Sequence, residues 1–276
     1  ELRYSLRSLL AFCPWVRHVY IVTDAQTPAW LSAPDGRVRV IDHREIFPDP
    51  VVLPTFNSHA IETCLHRIPG LAEHFIYMND DVVIHRPLSK SAFFEANGSA
   101  RFFPSPTKLN YVRGPEPHIV SGRNNRALLR EAFGHEITNA MLHTPHPQRK
   151  SVLAEIEATF PEAVAATRAN AFRGVDDISV ASSLSQYYGY FTGRAIRSSI
   201  PTRYVRVDSN GLRQARRLIT DNTIAVIAFG EGDATFDDPD LDSGFASLLN
   251  DLIPFTSPYE VARAPESGAA EKKTEV

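Results

Sequence analysis

The spacing of apolar residues predicts an alternation of helices and short buried strands in the first part of the chain. Leucines recur at helical intervals from Leu2 onward, and Pro14 ends that pattern. Continuous apolar runs then predict strands at 16–23, 38–41 and 74–77. This order of helices and buried strands is typical of an α/β fold.

The same reading covers the rest of the chain. It predicts a strand at 82–84, a short helix at 89–95, a strand at 100–103, helical patterns at 124–133, 152–160 and 178–190, a strand at 223–229 and a final helix ending near Leu252. Proline and glycine make 104–123 a predicted loop and a candidate lid. The tail at 262–276 has no periodicity and is predicted to be disordered.

Bulk composition narrows the class of protein. With 276 residues, of which 43% are hydrophobic and 22% charged, the chain resembles an ordinary globular protein. A net charge of −3 gives no general attraction to nucleic acid. Two cysteines are too few for a disulfide framework, and no apolar run is long enough for a membrane span. We therefore expect a cytoplasmic protein with at most peripheral membrane association, at the inner face.

Two adjacent carboxylates, Asp80 and Asp81, follow the predicted strand at 74–77. Like charges side by side in a partly buried position are unfavourable unless a cation or hydrogen-bond donors neutralise them. A strand ending in acids is typical of a divalent-cation site at the carboxyl edge of an α/β sheet. The residues alone leave a second interpretation equally open, in which Asn79 and the acids cap backbone groups in a turn.

The segment 53–70 predicts a helix with two distinct faces. Asn57 or Ser58 caps its start, and Pro69 and Gly70 end it. One face is apolar and consists of Ile61, Leu65 and Ile68. The opposite face is polar and consists of His59, Glu62 and His66. Taken alone, such a glutamate is exposed about twice as often as it is functional. The helix leads into the strand that carries the two acids, so we expect its polar face at the same edge.

Two histidines, His143 and His146, are separated like the ligands of a loop metal site. Pro145 keeps them off a regular helix, and the neighbouring sequence offers no third ligand. We do not expect zinc here.

Several segments together closely resemble conserved region two of the Stealth family, in the family's order. They are 1–8, 14–17, 20–23, 53–57, 66–67 and 79–81. Region three is similar at 143–146, 160–162 and 172–173. Stealth proteins are hexose-1-phosphate transferases, among them bacterial capsular and exopolysaccharide phosphotransferases and the animal GlcNAc-1-phosphotransferase.

The resemblance implies a GT-A-like nucleotide-sugar transferase core, N-terminally truncated, with helical additions. It implies one phosphotransferase domain over 1–261, with region two at about 1–105, region three at about 120–200 and region four at about 215–261. The family's first region is expected upstream of Glu1, so we expect this fragment to be inactive alone. Region four reads AFGEGD at 228–233, where the family carries a Leu-Asn-Asp type motif.

The resemblance also implies roles for individual residues. It assigns the catalytic residues to Glu62, Asp81, His143 and Arg173. Mg²⁺ or Mn²⁺ is expected on Asp81, with Asp80 as a second ligand or an outer-shell acceptor. His143 is the expected base, with Glu62 orienting it or serving instead. The expected substrate-binding residues are Arg3, Arg7, Asn57, His66 and Arg67.

The implied reaction moves a sugar 1-phosphate from a UDP-sugar, of the UDP-GlcNAc type, to a hydroxyl of a glycan acceptor and releases UMP. Capsule or exopolysaccharide synthesis is the implied setting, and a homo-oligomer is left open. Two alternatives remain at this stage. One is a metal-dependent GT-A glycosyltransferase that releases UDP, and the other is a non-catalytic sugar-nucleotide-binding fragment.

Overall fold

Helices and short strands alternate along the protein, as the apolar pattern predicts. The computed structural model describes residues 1–32, 35–109, 117–231 and 239–261. Its α-helices in those ranges are α1 Leu2–Phe12, α2 His43–Ile46, α3 Ser58–Glu62, α4 Pro117–Phe133, α5 Lys150–Thr159, α6 Pro161–Ala169, α7 Ser185–Phe191, α8 Ser209–Ala215 and α9 Pro239–Leu252. Shorter 3₁₀ turns lie at Pro50–Val52, Leu65–Arg67, Lys90–Ala92 and Arg216–Thr220, and a π-helix at Val180–Leu184.

The strands are short and belong to small sheets. They are β1 Val19–Thr23, β2 Val38–Asp42, β3 His74–Tyr77, β4 Val82–Ile84, β5 Ala100–Phe102, β6 Pro104–Lys108, β7 Asn139–Met141, β8 His146–Arg149, β9 Ala195–Arg197, β10 Thr202–Val207 and β11 Val226–Glu231. Parallel pairs are β1 with β2, β10 with β11, and β5 with β9. Antiparallel pairs are β3 with β8, β4 with β11, and β6 with β7. The fold is therefore mixed α/β.

The pairing of β3 determines what lies beside the two acids. Asp80 and Asp81 follow the carboxyl end of β3, which runs antiparallel to β8. Tyr77, the last residue of β3, lies opposite His146, the first residue of β8. Residues that follow Tyr77 and residues that precede His146 consequently lie at the same end of the pair. This topology brings the two acids and His143 together.

The core packs around the segments that carry the acids. A large apolar cluster includes the fully buried Ile41, Leu129 and Ile156. A second cluster packs β4 and β11 against α9 through residues such as Ile227 and Leu248. Burying apolar surface stabilises the folded state by about 25 cal/mol per Å². The two clusters therefore hold β3 and β4, the strands on either side of the acidic turn, in place.

The segment 104–123 differs from the sequence prediction. The predicted loop 104–123 contains β6 and the start of α4, while 110–116 lie outside the described residues. Its prolines misled the prediction because Pro104 lies in a strand whose pairing with β7 is irregular, and Pro117 begins a helix, where no backbone N–H is needed. The tail predicted to be disordered, 262–276, also lies outside the described residues.

Among the described residues, none of the helices combines the length and the apolar character that crossing a bilayer requires.

Candidate active site

A cleft of about 1520 Å³ opens between α1, β1 and β3. All five residues of β1 line it, and so do Asp80 and Asp81. Ser58 and Arg173 line it as well, although they come from α3 and from the loop after α6. The cleft therefore collects polar residues from distant parts of the chain, as binding sites usually do.

The acidic turn is held rigidly on one side. The backbone N–H of Phe229 donates to the carbonyl of Asp81 at 2.9 Å, which extends the ladder between β4 and β11 by one residue. Asp81 is half-buried, whereas Asp80 is exposed. Asp81 therefore has a fixed backbone position at the edge of the cleft, and its neighbour projects toward solvent.

Asp81 and His143 form a direct pair. Nε2 of His143 lies 2.9 Å from Oδ1 of Asp81, and the two side chains are 37% and 24% exposed. Since a carboxylate can only accept, Nε2 donates, which leaves Nδ1 as the basic nitrogen of a neutral imidazole. The predicted base and the predicted metal-ligating acid are thus brought into contact. Oδ2 of Asp81 takes no part in this hydrogen bond.

Arg173 reaches the cleft through α3. Its Nη2 donates to Oγ of Ser58 at 2.8 Å, and both residues are cleft-lining. Within the part of the chain that the structure describes, its guanidinium has no carboxylate partner. Its remaining donors are therefore available to an anionic ligand, for which the planar guanidinium is well suited.

A buried aspartate, Asp177, fixes the loop that carries Arg173. Its carboxylate accepts from Nδ2 of Asn57 at 2.8 Å, from Nδ2 of Asn170 at 2.7 Å and from the N–H of Gly174 at 2.9 Å. Sequence analysis gave Asp177 no role, although its position beside the segment 170–174 was a usable signal. The carboxylate joins this loop to the start of α3, which sets where Arg173 lies.

Glu62 is buried, so the expectation of an exposed glutamate is wrong. Only 2% of it is exposed. Its carboxylate accepts from the N–H groups of Ala181 and Ser182 at 2.8 and 3.1 Å and from Oγ of Ser182 at 2.5 Å. These donors belong to the first turn of the π-helix Val180–Leu184, where backbone N–H groups lack helical partners. Glu62 thus anchors that turn.

Tyr77 and His146 form a layer between Glu62 and Asp81. The hydroxyl of Tyr77 donates to Oε1 of Glu62 at 3.4 Å, and its ring stacks on His146 with centroids 6.4 Å apart. Burial, reinforced by the charge of Glu62, raises the pKa of Tyr77 well above its usual value. Burial lowers the pKa of His146 to about 3. Both side chains are therefore neutral at pH 7. The residue bonded to His143 is Asp81, not Glu62.

Two of the expected substrate-binding residues, Arg3 and Arg7, lie on α1 beside Glu260. Arg7 is buried and donates through two nitrogens to the two oxygens of Glu260, both at 2.6 Å. That hydrogen bond raises the pKa of Arg7. Arg3 lies 3.9 Å from the same carboxylate and over the ring of Trp30. Both arginines thus tie α1 to the end of the described chain, and their predicted contact with substrate stays a prediction.

The other three expected substrate-binding residues also have internal partners. Asn57 is fully buried, caps α3 through the N–H of His59 and binds Asp177. His66 and Arg67 both contact Glu157 of α5, at 2.9 and 3.0 Å. None of the three is among the described residues that line the cleft. Their contacts hold α3 and the turn after it against neighbouring segments, and substrate binding by them stays a prediction.

Sequence reasoning missed one aromatic residue beside the pair of Asp81 and His143. Tyr204 of β10 packs edge-on against His143, with ring centroids 6.3 Å apart at 71°. Its hydroxyl lies over Gly230, where an added Cβ would come within 1.6 Å of that oxygen. Gly230, in the segment 228–233 that differs from the family's motif, therefore makes room for this ring. Gly232 and Asp233 of that segment lie outside the described residues.

Two models of conserved family regions match the chain. The family model "Stealth protein CR2, conserved region 2" matches residues 1–102, which contain Glu62, Asp80 and Asp81. The model "Stealth protein CR3, conserved region 3" matches residues 142–190, which contain His143 and Arg173. The residues gathered at the cleft thus come from both conserved regions.

Curated relatives extend the similarity over most of the chain. An exopolysaccharide phosphotransferase of Streptomyces coelicolor is 46% identical over 94% of this chain and 28% of its own length. A capsular polysaccharide phosphotransferase of Haemophilus influenzae is 41% identical over 79% of this chain and 62% of its own length. The exopolysaccharide phosphotransferase CpsY of Mycobacterium tuberculosis is 45% identical over 71% of this chain and 37% of its own length. The chain spans less than two thirds of each of these relatives. Its two family matches and these identities show that the chain belongs to the Stealth family.

Proposed function

We propose that this chain forms the catalytic part of a phosphotransferase that moves a sugar 1-phosphate from a UDP-sugar to a hydroxyl of a growing capsular or extracellular polysaccharide. The supporting observation is the contact between Asp81 and His143 at the edge of a cleft that Arg173 also lines. The relatives are named as polysaccharide phosphotransferases, which favours the same class of reaction. Because the chain spans only part of those relatives, the activity is proposed for the full-length protein.

The proposed chemistry uses His143 as the base. The acceptor hydroxyl gives its proton to Nδ1 of His143, and its oxygen attacks the β-phosphorus of the donor. The bond from that phosphorus to the bridging oxygen breaks, so UMP leaves and the sugar keeps its phosphate. Asp81 holds the imidazole through Nε2 and stabilises the imidazolium that forms.

Arg173 is proposed to bind the transferred phosphoryl group. Phosphoryl transfer depends mainly on positioning and on neutralising charge on the non-bridging oxygens. The contact with Ser58 and the anchoring of the loop by Asp177 hold the guanidinium in the cleft before any ligand arrives. A preorganised donor avoids the cost of ordering during the reaction.

The acidic turn is compatible with Mg²⁺ or Mn²⁺. Among the described residues, no group of three or more His, Cys, Asp or Glu side chains has the geometry of a complete metal site. Mg²⁺ in phosphoryl-transfer enzymes typically binds one or two carboxylates and completes its shell with water and substrate phosphates. Asp80 and Oδ2 of Asp81, which belong to residues that line the cleft, would supply those carboxylates. The ion would neutralise diphosphate charge.

Further features of the proposal concern the fold and the setting. The parallel pair of β1 and β2, with β1 along the cleft, supports a GT-A-like arrangement for binding the nucleotide. The donor is proposed to be of the UDP-GlcNAc type. Cytoplasmic localisation at the inner face of the membrane, and any homo-oligomer, stay predictions.

Product identification tests the reaction. The full-length protein is incubated with a panel of UDP-sugars and surface-polysaccharide fragments, with and without Mg²⁺, and the nucleotide product is separated by ion-exchange chromatography. We expect UMP and a phosphodiester-linked product that require a divalent ion. Release of UDP would instead identify a glycosyltransferase, and donor binding without either product would identify a non-catalytic binding protein.

A further inference from the structure

Two phenylalanine side chains lie exposed and stacked beside the cleft. Phe56 and Phe172 are 70% and 69% exposed. Their ring centroids are 5.3 Å apart and their planes differ by 12°. Exposing such large apolar side chains in contact with each other is unfavourable in water unless a ligand covers them.

The pair is held in place by the backbone beneath it. The N–H of Phe56 donates to the carbonyl of Ala171 at 2.8 Å, and Nδ2 of Asn57 contacts the carbonyl of Phe172 at 3.4 Å. The buried carboxylate of Asp177 joins the same two segments. The rings are therefore presented on an ordered support, so binding a ligand on them costs little additional ordering.

The chain places both rings next to residues that line the cleft. Phe172 directly precedes Arg173, and Phe56 lies two residues before Ser58. Arg173 and Ser58 are hydrogen-bonded to each other inside the cleft. A ligand resting on the rings consequently lies beside the guanidinium proposed to hold the phosphoryl group.

Size and charge decide what kind of ligand fits. Two such rings present on the order of 300 Å², well below the roughly 800 Å² that each partner contributes to a stable protein interface. A membrane-binding face combines apolar residues with a cluster of lysine and arginine, whereas this chain has a net charge of −3. A sugar ring has the right dimensions, and its C–H groups pack against the negative face of an aromatic ring.

We infer that Phe56 and Phe172 form a stacking platform for a sugar ring of the acceptor glycan. The assignment of this sugar to the acceptor rests on the proposed function, in which Arg173, the residue after Phe172, holds the donor phosphate. Stacking a sugar here brings its neighbouring hydroxyls to the mouth of the cleft, where attack on phosphorus requires them.

Direct binding tests the platform without turnover. Fragments of four to eight sugars, prepared from the surface polysaccharide of the same cell, are titrated into the full-length protein without donor and followed by saturation-transfer NMR. We expect Phe56→Ala and Phe172→Ala each to weaken binding about 2- to 13-fold, because each removes one of the two aromatic faces. Phe172→Trp should retain binding, because the replacement keeps an aromatic face. Ile196→Ala, an exposed apolar residue of β9, is the matched control and should bind like the wild type.

The outcomes separate this inference from the proposed reaction. Unchanged binding in both alanine variants, or no binding by the wild type, overturns the platform even if UMP release is observed. A change in sedimentation or in binding to anionic vesicles, with oligosaccharide binding intact, also overturns it. Oligosaccharide binding that depends on the two rings supports the platform, and a failure to release UMP would then count against the proposed reaction alone. Unchanged thermal unfolding of each variant shows that the fold is retained.

Discussion

At the scale of single residues, the contact between Asp81 and His143 gives the acid two separable tasks. Oδ1 holds the imidazole, while Oδ2 is available to a cation. Arg173 has a different task, since it carries positive charge into the cleft on a loop fixed by Asp177. These assignments make different demands on charge and shape, so conservative substitutions can tell them apart.

Asp81→Asn and Arg173→Ala should each lower kcat by at least about 10²–10³, the usual loss when one charge-stabilising group is removed. The amide keeps the shape of Asp81 but loses the negative charge that holds the protonated imidazole. UMP release at saturating donor measures the effect. The exposed Asp176→Asn and Arg213→Ala are matched controls that should retain wild-type rates. Near-normal turnover in either test variant would remove that residue from the proposed scheme.

Glu62→Gln should lower the free energy of unfolding by about 1–3 kcal/mol, the cost of leaving buried polar groups unsatisfied. The amide oxygen can accept from the N–H groups of Ala181 and Ser182, but the amide NH₂ then faces the hydroxyls of Ser182 and Tyr77, which donate to Glu62 and lose their acceptor. Urea unfolding measures the loss, with exposed Glu162→Gln as the matched control. A destabilised fold in Glu62→Gln supports the anchoring of the π-helix. Full stability with lost activity would instead assign Glu62 a role in the reaction.

At the scale of elements, local patterns predicted what local chemistry decides. The apolar run at 19–22 and the helical leucines before Pro14 were assigned correctly, because a strand or helix of that kind is visible within ten residues. The pairing of β3 with β8 was not predictable in this way. It joins Tyr77 to His146, far apart in sequence, and its antiparallel direction leaves no local trace.

The candidate site likewise has residues that the sequence identified and residues that only the tertiary structure reveals. The resemblance to a known family selected Asp81 and Arg173, which line one cleft, and His143, which contacts Asp81. It also selected Glu62, which is buried. Tyr204 lies in a stretch for which the apolar pattern gave no prediction. Its position depends on the space over Gly230, a tertiary feature that one strand cannot reveal.

Tyr204 and Gly230 should act on the site as one unit. Gly230→Ala places a methyl group where the ring of Tyr204 lies, so the ring must leave its position beside His143. Tyr204→Ala removes the same ring directly. We expect each change to lower kcat/KM about 5- to 30-fold, and the double variant to be no slower than the slower single one, because coupled residues are not additive. Effects that multiply in the double variant would show that the two residues act independently.

At the scale of the whole molecule, several histidines are buried. Burial lowers the pKa values of His43, His66, His85 and His146, the last to about 3. They lie in different parts of the fold, on α2, on the turn Leu65–Arg67, after β4 and on β8. Folding therefore requires each of them to stay neutral below the pH at which the unfolded chain would protonate it.

The sign of the resulting pH dependence follows from linkage. Above the unfolded pKa of about 6.5, a histidine is neutral in both states and pH has no effect through it. Below that value the unfolded state binds the proton and the folded state does not, so stability falls as pH falls. For His146 the loss continues until pH reaches about 3. Carboxylates with lowered pKa values, such as Glu155 and Glu260, also contribute to stability. They lose that contribution only below about pH 5.5.

Unfolding between pH 7.5 and 5.5 therefore isolates the histidines. We expect the free energy of unfolding, from urea titrations, to fall over this range, with about 1.4 kcal/mol of the loss coming from His146, one pH unit below its unfolded pKa. His146→Gln, which cannot be protonated, should show a drop smaller by that amount, whatever its stability at pH 7.5. Replacement of the surface residue His135 by glutamine is the matched control and should keep the wild-type slope. An identical slope in His146→Gln and wild type would mean that His146 is protonated in the folded protein, and the neutral layer between Glu62 and Asp81 would then have to be abandoned.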